Sequence, residues 1–212
     1  MKKYAFIAAT VLSLAGTVLS FSPATASPIQ WKAEDGGNDH WYELNTDALS
    51  WQEAAAEAEN RGGYLATITS AGENSFIDDL VSSFQLFVWL GGSDAAQEGE
   101  WFWMTGPEAG QQFWTGGKNG HAVNGAYANW AYEEPNNGGP LGFLFGGEDY
   151  LTMWSTFDFV PNEGEWNDAG NLLGYASVIE YDPVADVPEP ATLALVGAGL
   201  AGIGLMRRRK RG

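Results

Sequence analysis

Residues 50–70 read SWQEAAAEAENRGGYLATITS, and this stretch predicts a helix followed by a strand. Ser50 and Glu53 have the spacing of a capping box, in which the two residues satisfy each other's free backbone N–H groups at a helix start. Apolar residues then recur at helical spacing, and the Gly62-Gly63 pair is typical of a helix end. The apolar run that follows the glycines is a strand pattern.

The next stretch repeats this organisation and then continues as strands. Ser70 and Glu73 predict a second capping box. The apolar face of the helix that follows consists of Phe76, Ile77, Leu80, Val81 and Phe84. Residues 86–92 (LFVWLGG) and 100–103 (EWFW) predict two neighbouring buried strands. Large aromatic side chains dominate protein cores, so we expect core positions for Trp89, Trp101, Trp103 and Trp166.

Residues 106–147 show no periodic pattern and are rich in glycine. A loop of this length inside a compact domain either has a function or indicates that its secondary structure has been misassigned. Strand patterns return at residues 149–153, 164–166 and 176–181. Two early helices, small antiparallel sheets and a long loop region together predict an α+β fold.

Oxygen-bearing side chains collect in and after this loop region. Glu134-Pro135-Asn136 is followed by Glu148 and then by Asn167-Asp168. Calcium takes six to eight oxygen ligands, and three carboxylates with two amides provide ligands of this kind. A cis bond before Pro135 could turn both flanking side chains to one side. The order of these residues predicts a calcium site, and a merely solvated acidic loop is the alternative.

Taken together, these segments resemble a C-type lectin domain over residues 41–181. Three parts of the sequence resemble the family. They are the first helix with the strand after it, the Val88-Trp89-Leu90-Gly91 strand, and Asn129-Trp130 with the motifs at 134–136, 148–149 and 166–168. The resemblance implies that calcium is held by the side chains of Glu134, Asn136, Glu148, Asn167 and Asp168 and by the Asp168 carbonyl. In the family the ion coordinates two adjacent sugar hydroxyls, and the Glu-Pro-Asn form implies mannose-type sugars.

For the sugar, we expect contacts from four of these ligand residues and from one loop aromatic: Glu134, Asn136, Glu148, Asn167 and Trp114. Tyr132 is a second candidate for stacking on a sugar. Residues 113–127 form a longer loop than is usual in the family, and this could reshape the sugar pocket. The number of calcium ions stays open, because Asn137 stands where an auxiliary site would use an acid, while Glu148 and Asp149 remain.

The chain has no cysteine, which excludes thiolate chemistry and zinc–thiolate or iron–sulfur sites. By resemblance, four positions would pair as two disulfides, and here they are Ala58, Tyr150, Asn171 and Ile179. Losing a native disulfide typically costs about 2–5 kcal/mol. We therefore expect packing of Ala58 against Ile179 to hold the first helix to the last strand. Relatives of this fold that oxidise cysteine need the missing thiols, so we expect no enzymatic activity.

Both ends of the chain carry targeting patterns. Residues 1–26 have a basic start, an apolar run and the triplet Ala24-Thr25-Ala26, which predict a secretory signal peptide. Pro188-Glu189-Pro190 precedes 16 apolar or small residues and a basic tail. This end resembles the PEP-CTERM sorting signal of Gram-negative bacteria, which implies transient membrane anchoring and processing by an exosortase. We expect a signal peptide at 1–26, a C-type lectin-like domain at 38–183 and a sorting segment at 187–212.

The segment between the two signals is strongly acidic. Within residues 27–187, Lys32, Arg61 and Lys118 face 26 acidic residues, a formal net charge of −23. Such a surface repels nucleic acid and anionic lipid and favours cations, neutral sugars or basic partners. These features predict a calcium-dependent lectin exported to the cell envelope or secreted. The alternative is an adhesive or structural protein of the same fold, associated with exopolysaccharide or biofilm, that binds no sugar.

Overall fold

The computed structural model describes residues 27–82, 87–138, 147–154, 164–172 and 174–183. The predicted signal peptide, the sorting segment and the helix residue Phe84 lie outside the described residues. The described part of the chain contains two α-helices, a short 3-10 helix (Ala33–Asp35) and ten β-strands. This content confirms the predicted α+β class.

The first helix, α1 (Trp51–Asn60), begins with the predicted capping box. The Ser50 backbone N–H donates to Glu53 Oε2 at 3.0 Å, and the Glu53 N–H donates to Ser50 Oγ at 3.4 Å. Trp51, Ala54 and Ala58 are buried, so the predicted apolar face is the one that packs on the sheet. The helix ends before Gly62, whose φ of 82° is a left-handed conformation that glycine adopts without strain.

The second helix, α2 (Ala71–Ser82), has only half of its predicted capping box. The Glu73 N–H donates to Ser70 Oγ at 3.1 Å, as predicted. The reciprocal half of the prediction is wrong, because the Glu73 carboxylate accepts the Thr69 N–H at 2.7 Å and the Tyr42 hydroxyl at 2.6 Å. Glu73 is 2% exposed, so its side chain serves a buried polar network instead of the helix start.

The last strand occupies the middle of the sheet. The strands are β1 (Ile29–Gln30), β2 (Trp41–Leu49), β3 (Tyr64–Leu65), β4 (Phe87–Ser93), β5 (Glu100–Trp103), β6 (Gln112–Thr115), β7 (His121–Ala122), β8 (Tyr150–Trp154), β9 (Trp166–Ala169) and β10 (Tyr175–Tyr181). The order is β1-β2-β10-β4-β5-β6-β7, and β8 pairs with both β4 and β9. β10 runs parallel to β4 and antiparallel to β2 and β3. The two chain ends of the domain therefore meet in one sheet.

The stretch 106–147 contains regular structure that its sequence did not predict. β6 and β7 form an antiparallel hairpin, with Trp114 paired to Ala122 and Thr115 paired to His121. β6 also pairs with β5, so the hairpin extends the sheet. The prediction of an irregular loop is wrong for this segment, since its strands are too short to show an alternating pattern.

Two apolar clusters form the core. One includes Ile77 and Val81 of α2 together with Trp101, Trp103 and Trp166, which are 1%, 3% and 0% exposed. The other lies under α1 and includes Trp89, Ala58 and Ile179, all fully buried. The predicted core positions of the four tryptophans are confirmed. Ala58 and Ile179 belong to the same cluster, as expected for an α1–β10 contact that relies on packing.

Candidate calcium and sugar site

The loop that carries Glu134 and Asn136 is fixed along β9. The Trp166 N–H donates to the Asn129 carbonyl at 2.7 Å, and the Ala131 N–H donates to the Trp166 carbonyl at 2.9 Å. A turn follows, closed by the Glu134 N–H on the Ala131 carbonyl at 3.0 Å. The Glu134–Pro135 peptide bond is cis, as the sequence suggested. These contacts bring the loop beside the residues that follow Trp166 in β9.

Asp168 joins this loop to β9. Its carboxylate is 1% exposed and accepts the backbone N–H of Asn136 at 3.1 Å and that of Asn137 at 2.5 Å. Its carbonyl oxygen accepts the side-chain amide of Asn167. β9 pairs with β8, and Leu151 lies opposite Asp168, so the sheet fixes the position of Asp168. The Asp168 carboxylate in turn fixes the loop through its two hydrogen bonds to the backbone of Asn136 and Asn137.

The other predicted ligands lie in the same network. The Asn136 side-chain amide donates to Glu134 Oε2 at 2.5 Å. Glu148 is reached through Asn137, whose side-chain oxygen accepts the Glu148 N–H at 2.7 Å. The structure thus links Glu134, Asn136, Asn167 and Asp168 directly by hydrogen bonds and connects Glu148 through one intermediate residue.

Burial and mutual repulsion shape the electrostatics of these carboxylates. Burial raises the pKa of Glu134 to about 8, and a hydrogen bond and charge repulsion from Asp168 act in the same direction. Burial, followed by the charge of Asp168, also raises the pKa of Glu148 and of Asp149. Like charges in a partly desolvated place disfavour ionisation, and a bound cation would relieve that repulsion.

Two acids near the site were missed from the sequence. Asp94 follows β4 and is 2% exposed; its Oδ2 accepts the Gly99 N–H at 2.8 Å, and its Oδ1 has no hydrogen-bond partner. Burial raises the pKa of Asp94 to about 7, and charge repulsion from Glu98, Asp149 and Asp168 raises this pKa further. Glu98 accepts the Asn137 side-chain amide. In the sequence, the feature that could have indicated these two acids is that Asp94 directly follows a buried strand and Glu98 follows four residues later.

The donor chemistry of the site fits a hard cation. Among the residues that the structure describes, no three His, Cys, Asp or Glu side chains converge closely enough to hold a metal by themselves. The predicted set therefore depends on amide oxygens and on the Asp168 carbonyl as well as on carboxylates. Carboxylate, amide and carbonyl oxygens are the donor types that Ca²⁺ takes in proteins.

The two aromatic candidates differ in placement. Trp114 is partly buried, its ring centroid lies 6.2 Å from that of Trp130, and its indole N–H donates to the Gly116 carbonyl at 3.0 Å. Trp114 thus supports the β6–β7 hairpin. Tyr132 is 90% exposed at the tip of the turn before Glu134, which leaves its ring free to contact a ligand.

Comparison with known proteins gives two family matches. Residues 47–141 match the model of the Lectin C-type domain, and residues 186–210 match the PEP-CTERM protein-sorting motif. Halomucin of Haloquadratum walsbyi (strain DSM 16790 / HBSQ001) is 38% identical over 169 residues. The match covers 77% of this chain but only 2% of Halomucin, so it concerns a small part of that protein.

Solved structures show the same fold. The carbohydrate-recognition domain of the human scavenger receptor C-type lectin aligns with a TM-score of 0.53 and 20% identity, over 77% of this chain and 99% of that domain. A calcium-independent type II antifreeze protein aligns with a TM-score of 0.50 and 24% identity, over 76% and 97% of the two chains. At these identities the comparison establishes the fold alone.

The fold and the family match define a C-type lectin domain, a class of module that is generally not enzymatic. The chain carries this domain followed by a PEP-CTERM sorting motif. The motif indicates export and sorting to the cell envelope. Within the described ranges, none of the helices is long and apolar enough to cross a membrane.

Proposed function

We propose that this protein is an exported, calcium-dependent carbohydrate-binding module. Its ion site consists of Glu134, Asn136, Glu148, Asn167 and Asp168. The observation that carries this proposal is the pair of hydrogen bonds from the Asn136 and Asn137 backbone to the buried Asp168 carboxylate. These hydrogen bonds attach the Glu-Pro-Asn loop to β9. They bring Asn136 and Asp168, which are 32 positions apart in sequence, into contact.

The sugar would be bound by the same residues. A bound Ca²⁺ supplies coordination positions for two adjacent sugar hydroxyls. The carboxylates of Glu134 and Glu148 accept hydrogen bonds from those hydroxyls, and the side-chain amides of Asn136 and Asn167 donate to them. Trp114 contributes by holding the neighbouring hairpin. The Glu-Pro-Asn order supports mannose-type sugars, and the acidic surface supports neutral ones.

The setting of this activity is the cell envelope. We propose that an exosortase-type system recognises the segment around Pro188-Glu189-Pro190, and that the C-terminal segment anchors the chain in the membrane until it is processed. The domain then acts at the outer surface or after release, on glycans or exopolysaccharide.

The test is calorimetric titration of the full chain with calcium. We expect saturable binding that the double variant Glu134→Ala, Asn167→Ala weakens by more than about 100-fold, since loss of even an outer-shell partner of a metal ligand typically costs 10–100-fold. Glu59→Ala, Asn60→Ala is the matched control, because it removes the same two residue types from the exposed end of α1. A glycan screen with and without chelator follows, and we expect binding only with calcium.

Unchanged calcium binding in the Glu134 and Asn167 variant would contradict the proposed site.

One observation favours a second function, a structural or adhesive role without a sugar. Among the described residues, no group of three or more His, Cys, Asp or Glu side chains is close enough together to hold a metal ion. The likeness of the fold to a calcium-independent antifreeze protein supports the same alternative. Silence across the glycan screen, with or without bound calcium, would favour this role.

A further inference from the structure

An open pocket of about 600 Å³ lies directly beside the Glu-Pro-Asn loop. It lies between the turn of the β6–β7 hairpin and the segment 133–137. The lining residues are Glu98, Gly117, Lys118, Glu133, Pro135, Asn136 and Asn137. Its volume falls within the range of roughly 300–1,000 Å³ that small-molecule sites occupy.

The hairpin turn that forms one wall is fixed in place. The Gly116 N–H donates to the Gly99 carbonyl at 2.7 Å, and the Gly120 N–H donates to the Gly117 carbonyl at 2.7 Å. Trp114 donates its indole N–H to the Gly116 carbonyl. Any side chain at position 120 would come within 2.3 Å of the Thr115 carbonyl, so this close approach requires glycine. Lys118 is therefore presented by a preformed turn.

Lys118 gives this pocket a chemistry that the acidic surface around it lacks. Its Nζ lies 3.3 Å from Glu133 Oε1, and both side chains are about half exposed. Exposed ion pairs of this kind contribute little to stability, so exchanging the contact for hydroxyl groups costs little. The pocket combines a cationic donor, two carboxylate acceptors and two amides, which suits sugar hydroxyls. Two carboxylates against one ammonium group disfavour an anionic sugar.

Asn136 connects this pocket to the proposed calcium site, because it lines the pocket and its side-chain amide contacts Glu134. We propose that the pocket is a second subsite, which binds the neutral sugar residue linked to the one held at the calcium site. Lys118 and Glu133 bind hydroxyl groups of that second residue. The ligand class is thus a neutral oligosaccharide or polysaccharide and not a monosaccharide. This inference rests on the proposed function.

The experiment compares mannose, α1,2-mannobiose and α1,2-mannotriose as ligands of the full chain at saturating calcium. We expect the disaccharide to bind at least about fivefold more tightly than mannose, the size of effect given by hydrogen bonds to a charged group at a partly exposed site. Lys118→Ala should remove that gain and leave the affinities for mannose and for calcium unchanged. Lys32→Ala is the matched control, since Lys32 is also half exposed and paired with a glutamate, Glu34, but lies outside the pocket.

The outcomes separate the two proposals. Equal affinity for mannose and mannobiose in the wild-type chain would overturn the second subsite while the lectin function stands. A Lys118→Ala variant that keeps the full disaccharide gain would overturn it as well. Calcium binding without any sugar binding would overturn the proposed function, and with it this inference.

Discussion

At the scale of single residues, a buried acid is balanced by one histidine. Glu180 is 2% exposed, and its carboxylate accepts the Thr67 N–H at 3.0 Å and the Tyr42 hydroxyl at 3.2 Å. His40 Nδ1 lies 2.6 Å from Glu180 Oε1. This hydrogen bond, with the charges of Glu180, Asp182 and Glu73, raises the pKa of His40 above its ordinary 6.5 against the opposing effect of burial.

The His40 contact predicts a pH dependence of stability. Because folding raises the pKa of His40, its contribution is complete below pH 6.5 and declines as pH rises through the folded-state pKa. We expect His40→Gln to lower the free energy of unfolding by about 1.5 kcal/mol in mildly acidic solution, as for a hydrogen bond to a charged group. Above the folded-state pKa the difference should shrink. Urea unfolding followed by tryptophan fluorescence at several pH values measures both.

The matched control is His121→Gln, which changes the exposed histidine of β7. It should leave the pH profile of wild type intact. A stability difference between wild type and His40→Gln that stays constant from pH 6.5 through the folded-state pKa would contradict the assignment.

The individual site residues were partly predictable. Glu134, Asn136 and Asn167-Asp168 stand in short motifs whose order is informative, and the structure joins them by hydrogen bonds. Asp94 was not found, because a single acid after a strand has no local pattern to distinguish it from a solvated one. Its significance comes from burial and from the proximity of Glu98, and both depend on the tertiary fold.

At the scale of elements, α1 and β10 are held together without a covalent link. Ala58 and Ile179 are fully buried in one cluster. At the other predicted disulfide positions, Tyr150 stacks on Trp51 with ring centroids 5.0 Å apart, and the Asn171 side-chain oxygen accepts the Trp51 N–H at 2.9 Å. Aromatic stacking and a hydrogen bond to the start of α1 thus occupy the region where the resemblance predicts a disulfide.

Removing packing from this contact should destabilise the domain strongly. We expect Ile179→Ala to lower the free energy of unfolding by about 2–5 kcal/mol, because a large buried aliphatic side chain leaves a cavity that the core fills only partly. Ile29→Ala is the control, since Ile29 is 50% exposed in β1, and it should change stability by less than about 0.5 kcal/mol. Chemical denaturation measures both, and equal small effects would show that the α1–β10 contact does not depend on packing at this position.

Elements were predictable where they were long and periodic. α1, α2, β4 and β10 carry clear patterns of burial, and the structure has all four near their expected positions. β6 and β7 are short and surrounded by glycine, so their sequence resembles that of a loop. Their pairing is decided by β5 and by the Trp114 contact to Gly116, which are interactions between segments that a local pattern cannot show.

At the scale of the whole molecule, charge is divided sharply along the chain. Residues 27–187 are strongly acidic, whereas five basic residues stand at positions 207–211. Basic residues beside an apolar segment favour the cytoplasmic side of a membrane. Pro188-Glu189-Pro190 of the sorting motif lies between these two regions, so cleavage near it would separate the acidic domain from a basic membrane-proximal tail.

This arrangement predicts a change of size and location on processing. In a host that has an exosortase, the wild-type chain should appear outside the cytoplasmic membrane at a mass lacking the C-terminal segment. The triple variant Pro188→Ala, Glu189→Ala, Pro190→Ala should stay membrane-associated at the larger mass, because the recognition motif is gone while the apolar segment and basic tail remain. Pro183→Ala, which changes a proline outside the matched residues 186–210, should be processed normally. Cell fractionation with mass spectrometry distinguishes these results, and normal processing of the triple variant would mean that the motif is not what the sorting system recognises.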